Sequence, residues 1–150
     1  MDTASLESAY QRILDLAAHG SFTTPPDDWG PDMVLAHLTV NDELLIGAVR
    51  QVLAGEEEAS YDNAAGTDDA ALAQLGPWPA LIDRLQTSSR QLVDLASQLT
   101  DGLEDRAIPV HIVDGGEVAV DQPLPIGRLL SIHAEVHLPS HLSQLEGLRA

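Results

Sequence analysis

The fold of this chain is constrained most by a helical period of apolar residues that returns in four long segments. The segment from residue 31 to 53 is the clearest, because Val34, Leu38 and Leu45 recur on one face of a helix. The other three segments cover about residues 3–18, 77–100 and 125–149. A helix of the length of the second segment extends about 35 Å, which is the scale of a helical bundle. Four such helices with two long connections predict an all-α four-helix bundle with long crossovers.

The two long connections differ in character. Residues 55–77 are acidic, small and poorly periodic, which predicts a crossover with at most one short helix near residues 68–74. Between the third and fourth helices the period changes, and two short apolar runs flank Asp114-Gly115-Gly116. Because Asp-Gly pairs are typical of tight hairpin turns, we expect a short β-hairpin there, with an ordered loop as the alternative.

Composition and charge exclude several classes of protein. The chain has 24 Asp and Glu against 7 basic residues, a net charge of −17, so neither a nucleic acid nor an anionic membrane is expected as a partner. It has no Cys, which excludes a disulfide framework, a thiolate nucleophile and a cysteine zinc site. The N-terminal residues do not resemble a signal peptide, and no apolar run could span a bilayer. We expect one domain over residues 1–150, located in the cytoplasm.

Three of the six histidines follow one another at one-turn intervals in the fourth helical segment. His133, His137 and His141 stand at i, i+4 and i+8, so they lie on one side of the helix. An adjacent pair can bind one divalent ion from a single helix. The outer two lie about 12 Å apart along the axis, too far for all three to share one ion easily. We therefore expect one pair to bind a metal ion together with a ligand from another helix.

His37 is the natural third ligand, because it lies in the apolar stripe of the second helix. Asn41, one turn later, could orient His37 or bind a substrate. Three histidines with an open fourth position are typical of a catalytic metal site. The alternatives are that His37 is an ordinary buried residue and that the triplet is exposed on an acidic surface. His19 and His111 are better explained as a helix C-terminal cap and an exposed hairpin side chain.

Three motifs together resemble the DinB-like superfamily, which includes mycothiol-dependent isomerases and thiol transferases. They are W-G-P-D-M-V-L-A-H-L at 29–38, Y-D-N at 61–63 and H-L-P-S-H-L-S-Q-L at 137–145. The resemblance covers almost the whole chain. It implies a four-helix bundle with a long crossover and a zinc or nickel ion at one end.

The resemblance also implies which residues serve that ion. The matching ligand positions are His37, His137 and His141. His133 falls one turn outside the motif, as a residue that lines the pocket or supports the ligands. Characterised relatives use the metal to lower the pKa of a low-molecular-weight thiol, which suits a chain with no thiol of its own.

One residue departs from the expected pattern of the fourth helix. Pro139 stands between His137 and His141 and removes the hydrogen bond to the carbonyl of Glu135. We expect a kink there, which would change the direction in which the His137 side chain points.

The sequence thus favours a metal-dependent enzyme that transfers a small thiol, with hydrolysis at the same ion as the nearer alternative. The rival class is a non-catalytic metal- or ligand-binding bundle, such as a stress-associated dimer. The expected partner is a small-molecule thiol or another small substrate. A homodimer is suggested by the family and by the apolar faces of the first and third helices.

Overall fold

Helices dominate the computed structural model, which describes residues 1–150. The first three long helices have bounds close to the predicted ones: α1 (Ala4–His19), α2 (Pro31–Leu53) and α4 (Trp78–Ser97). Pro31 suits the first turn of α2, where a backbone N–H would have no partner inside the helix. The short helix predicted in the crossover is α3 (Asp69–Leu72), and the carboxylate of Asp68 caps its start. None of the helices combines the length and the apolar content that crossing a membrane requires.

The predicted fourth helix changes its hydrogen-bond pattern in the middle. It consists of α5 (Ile126–Ile132), a π turn (His133–His137) and α6 (Leu138–Gly147). In the π turn the N–H of Leu138 donates to the carbonyl of His133, five residues earlier. Pro139 explains where this happens, because it has no N–H to offer the carbonyl of Glu135. The predicted disturbance therefore takes the form of a π turn, a feature found frequently at functional sites.

A three-stranded sheet accompanies the helices, so the fold is mostly helical and not all-α. The predicted hairpin is present, formed by β2 (Ala107–Asp114) and β3 (Glu117–Pro125). Gly115 and Gly116 have φ values of 58° and 82°, and a two-residue type I′ turn requires a positive φ at both of these positions. The third strand, β1 (Tyr61–Asp62), pairs in parallel with β2. This strand was not predicted from the sequence, because two residues are too few to show an alternation.

A continuous apolar core joins the helices. Within it α2 packs most extensively against α4, and α1 packs against α4 and α6. Each of α1, α2, α4 and α6 contributes side chains to this core that are at most 1% exposed, among them Ile13, Leu45, Leu85 and Leu145. Burying one such side chain contributes about 1.5–3 kcal/mol to folding. The apolar stripes that predicted the helices therefore also hold them together.

Candidate metal centre

Three of the predicted site histidines meet where α2, the π turn and α6 come together. Nε2 of His137, at the end of the π turn, is 3.1 Å from Nε2 of His37 on α2. It is also 3.1 Å from Nε2 of His141 on α6, and the potential ligand atoms of the three residues lie within 4.8 Å of one another. Nitrogens that surround a zinc ion tetrahedrally at about 2.0–2.1 Å are about 3.3 Å apart. The observed spacing is therefore close to that of ligands to one divalent ion.

Hydrogen bonds on the far side of two rings direct their lone pairs at the same point. Nδ1 of His37 lies 2.6 Å from the carbonyl oxygen of Gly66, and Nδ1 of His141 lies 2.8 Å from Oε1 of Gln144. Both partners are acceptors, so each Nδ1 carries the proton and each neutral ring has its lone pair on Nε2. His137 has at most one proton on Nε2 and cannot satisfy both neighbours. This donor set fits a cation bound between the three nitrogens.

Burial keeps these imidazoles neutral. It lowers the pKa of His37 to about 4, and it lowers the pKa of His137 well below the usual value of 6.5. Burial also lowers the pKa of His141. For His37, the Gly66 carbonyl and the charge of Asp114 act in the opposite direction without reversing the effect. Because imidazole binds a metal only when it is neutral, the three rings are in the ligating form at neutral pH.

The Y-D-N motif of the crossover holds the surroundings of His37 in place. The carboxylate of Asp62 accepts a hydrogen bond of 2.9 Å from the N–H of Ala64. That residue begins the 3₁₀ turn (Ala64–Thr67) that contains Gly66. Asn63 binds the hairpin twice, since its amide donates to the Val113 carbonyl at 2.9 Å and accepts from the Val113 N–H at 2.8 Å. The motif therefore positions the hydrogen-bond partner of one potential ligand and ties the crossover to β2.

His133 and Asn41 lie behind His137, and each is only 3% exposed. Nδ1 of His133 is 2.9 Å from Nδ1 of His137, and its Nε2 is 2.8 Å from the hydroxyl of Tyr10. The amide nitrogen of Asn41 is 3.5 Å from Nδ1 of His133, and its oxygen accepts a hydrogen bond from Tyr61. The hydrogen bonds of Asn41 thus go to His133 and Tyr61, and not to the neighbouring ligand considered from the sequence. Burial places both residues away from solvent.

Three residues of the hydrogen-bond network around His133 were not predicted from the sequence. The hydroxyl of Tyr10 donates to the carboxylate of Asp42, whose other oxygen accepts a hydrogen bond of 2.7 Å from Ser88. Tyr10 looks like an ordinary apolar residue of α1, and Ser88 carries no pattern. Asp42 did give a signal, because it interrupts an apolar stretch of α2 and a buried carboxylate needs partners.

The two remaining histidines lie outside the cluster. Nδ1 of His19 is 2.9 Å from the carbonyl of Asp15, at the end of α1. His111 is partly exposed on β2, with its Nδ1 3.5 Å from the carboxylate of Asp121. Neither contributes to the group of potential ligands.

Solved structures of one enzyme share the overall fold. The crystal structure of the mycothiol-dependent maleylpyruvate isomerase matches with a TM-score of 0.69 and 17% sequence identity, over 93% of this chain and 56% of that chain. A histidine-to-alanine mutant of that enzyme matches over the same shares at 17% identity, with a TM-score of 0.67. This chain thus spans little more than half of the isomerase. No protein-family model and no curated protein matches the sequence. Over most of its length the chain therefore has the fold of this isomerase.

Proposed function

We propose that this protein is a metal-dependent enzyme that activates a low-molecular-weight thiol for transfer to an electrophile. The observation that supports this proposal is the convergence of Nε2 atoms from His37, His137 and His141. The ion is zinc or nickel, held at one end of a bundle of four long helical segments. The shared fold adds a precedent, because the similar structures are those of a mycothiol-dependent enzyme.

The three histidines leave room for a substrate. A four-coordinate ion with three protein ligands has one position open. His137 and His141 are only half-buried, so the cluster is accessible from their side. A divalent ion bound here lowers the pKa of a thiol or water molecule at that open position. Since the chain has no Cys, any thiol in the reaction is a cosubstrate.

The other residues of the site orient the ligands. The Gly66 carbonyl and the Gln144 side chain hold protons on Nδ1 of His37 and His141, which keeps both lone pairs directed at the ion. The ring of Trp29 packs against that of His37, with the ring centres 5.3 Å apart and the planes inclined at 46°. These contacts fix the geometry of the site before a substrate arrives. The homodimer and the cytoplasmic location stay predictions.

A thiol-transfer assay tests the proposal. Untagged, zinc- or nickel-loaded protein is mixed with mycothiol, bacillithiol or glutathione and with maleylpyruvate or another electrophile, and consumption of both is followed. We expect one of the thiols to be consumed faster than with chelator-treated protein. His37→Ala should abolish that difference, whereas His19→Ala, a histidine outside the cluster, should retain it.

The same assay separates the alternatives. If His37→Ala matches the parent with every thiol, the enzymatic proposal is wrong. Substrate hydrolysis that needs the metal but no thiol would support the hydrolase. A metal-loaded protein with no turnover of any substrate would support the non-catalytic bundle.

A further inference from the structure

A chain of hydrogen bonds leads from His137 into the core, and its direction follows from the proposed ligand bond. When Nε2 of His137 binds the ion, the neutral ring carries its proton on Nδ1. That atom lies 2.9 Å from Nδ1 of His133, which must then accept. His133 consequently carries its own proton on Nε2, 2.8 Å from the hydroxyl of Tyr10. One ligand bond therefore fixes the proton positions of two rings.

Tyr10 extends the chain to a carboxylate. Its oxygen accepts from Nε2 of His133, and its proton is donated to Asp42. Burial, together with the charge of Asp42, raises the pKa of Tyr10 well above its usual value, so the hydroxyl stays protonated. His137 then donates to His133, His133 donates to Tyr10, and Tyr10 donates to Asp42. The network has a single consistent direction that ends at Asp42.

Asn41 supports this direction independently of the ligand bond. The hydroxyl of Tyr61 donates to its side-chain oxygen, which turns the amide nitrogen towards Nδ1 of His133 at 3.5 Å. An N–H that points at this nitrogen is compatible with a lone pair there and not with a proton. The surroundings of His133 therefore favour the form with the proton on Nε2.

Asp42 is a completely buried carboxylate in need of a positive charge. Its surface exposure is 0%, and it accepts hydrogen bonds from Tyr10 and from Ser88. The one basic side chain within 4.0 Å of it is His133, whose Nε2 lies 3.5 Å from the carboxylate. Burying an unbalanced charge is costly, so a cation beyond the two imidazole rings would compensate it.

We propose that His133, Tyr10 and Asp42 are positioning residues that fix the tautomer of His137 and raise the affinity of the site for a divalent ion. This proposal rests on the proposed function, because it requires an ion at Nε2 of His137. The partners of the other two ligands, Gly66 and Gln144, are uncharged and adjacent to the rings they hold. Only His137 is connected to a carboxylate. Outer partners of this type change metal affinity by about 10- to 100-fold.

The experiment is a competition titration of zinc against a chromophoric chelator. Tyr10→Phe removes one hydroxyl and keeps the ring, and we expect zinc affinity to fall about tenfold. Thr39→Val is the matched control, since it removes a buried hydroxyl that bonds only within α2, to the carbonyl of Leu35 at 2.8 Å. The control should keep the affinity of the parent within about twofold. Metal-free melting temperatures of both variants separate lost stability from lost affinity.

A second readout does not depend on folding stability. In zinc-loaded parent protein, ¹⁵N NMR of the imidazoles should find the proton of His137 on Nδ1 and that of His133 on Nε2. If the parent binds zinc but Tyr10→Phe binds it equally tightly, or if His133 carries its proton on Nδ1, the positioning role is wrong and the metal site stands. If the parent binds no zinc or nickel, both proposals fail.

Discussion

The two nitrogens of the His137 ring face regions of opposite character. Nε2 faces two neutral imidazoles, and both direct a lone pair at it. One proton on Nε2 cannot satisfy two acceptors, whereas a cation bound between the three nitrogens can. Nδ1 faces a buried network in which His137, His133 and Tyr10 each donate to the next residue, ending at Asp42. Polar groups in a core are normally paired, so the paired side provides support and the unpaired side is where a ligand is expected. We infer that the contrast between the two sides identifies the binding site.

Removing one of the proposed ligands should have the largest effect on zinc affinity. His37→Ala deletes a nitrogen from the unpaired side and leaves the network of His133 intact. We expect zinc affinity to fall by more than about 100-fold, because loss of a ligand exceeds the effect of losing its outer partner. Calorimetric titration with zinc measures it, with His111→Ala as the control. An affinity within about tenfold of the parent would remove His37 from the ligand set.

Acid should lower the free energy of unfolding even without metal, because the imidazoles of the cluster are protonated more readily once the chain unfolds. The pKa of His37 is about 4 in the folded protein and about 6.5 unfolded, so between these values the unfolded chain binds more protons. Stability is therefore lost as the pH falls through 6.5 towards 4. His37 alone contributes a loss of roughly 2 kcal/mol between pH 7 and pH 5, and the lowered pKa values of His137 and His141 act in the same direction.

Urea unfolding of chelator-treated protein at pH 7, 6 and 5 measures this effect. The decline should be shallower in His37→Ala, because that variant lacks one of the depressed imidazoles. The same pH dependence in both proteins would show that His37 is not held neutral by burial.

Removing the contact between the crossover and the hairpin should lower the free energy of unfolding by a smaller amount. Asn63→Ala removes both hydrogen bonds to Val113, and we expect the free energy of unfolding to fall by about 1–2 kcal/mol. Gln122→Ala, an exposed change on the same hairpin, should stay within about 0.5 kcal/mol of the parent. Denaturant unfolding compares the two. Equal stability of Asn63→Ala and Gln122→Ala would mean that the crossover is not held by this contact.

The smallest effect is expected at Gln144, the partly buried support of the cluster. Gln144→Ala removes the partner of His141 Nδ1, but this partly buried position admits water as a replacement acceptor. Zinc affinity should fall by less than about threefold, well below the effect of Tyr10→Phe. A competition titration of both variants under one set of conditions compares partly buried with fully buried support of the ligands. Equal losses would remove the distinction.

The sequence predicted those parts of the fold that depend on local pattern. The bounds of α2 follow from Pro31 and a long apolar stripe, and the hairpin turn follows from Asp114-Gly115-Gly116. Pro139 predicted a disturbance but not its form, because a kink and a π turn both accommodate a missing N–H. Parallel pairing of β1 with β2 joins segments far apart in the chain, and two residues carry no pattern for it.

The candidate site likewise has a part that the sequence predicted and a part that it did not. Spacing and family resemblance selected His37, His137 and His141, and the structure brings their nitrogens together. Tyr10 and Asp42 come from different helices, and only the packing of α1 against the π turn brings Tyr10 to His133. Such partners are set by tertiary contact, which a single sequence does not reveal.

Binding of one divalent ion by His37, His137 and His141 underlies both proposals. Elemental analysis tests it most directly, on untagged protein purified without added metal and again after reconstitution with zinc or nickel and desalting. We predict about one equivalent of metal per chain, and much less in His137→Ala prepared in parallel. Less than about a tenth of an equivalent in the parent, unchanged by reconstitution, would contradict the claim.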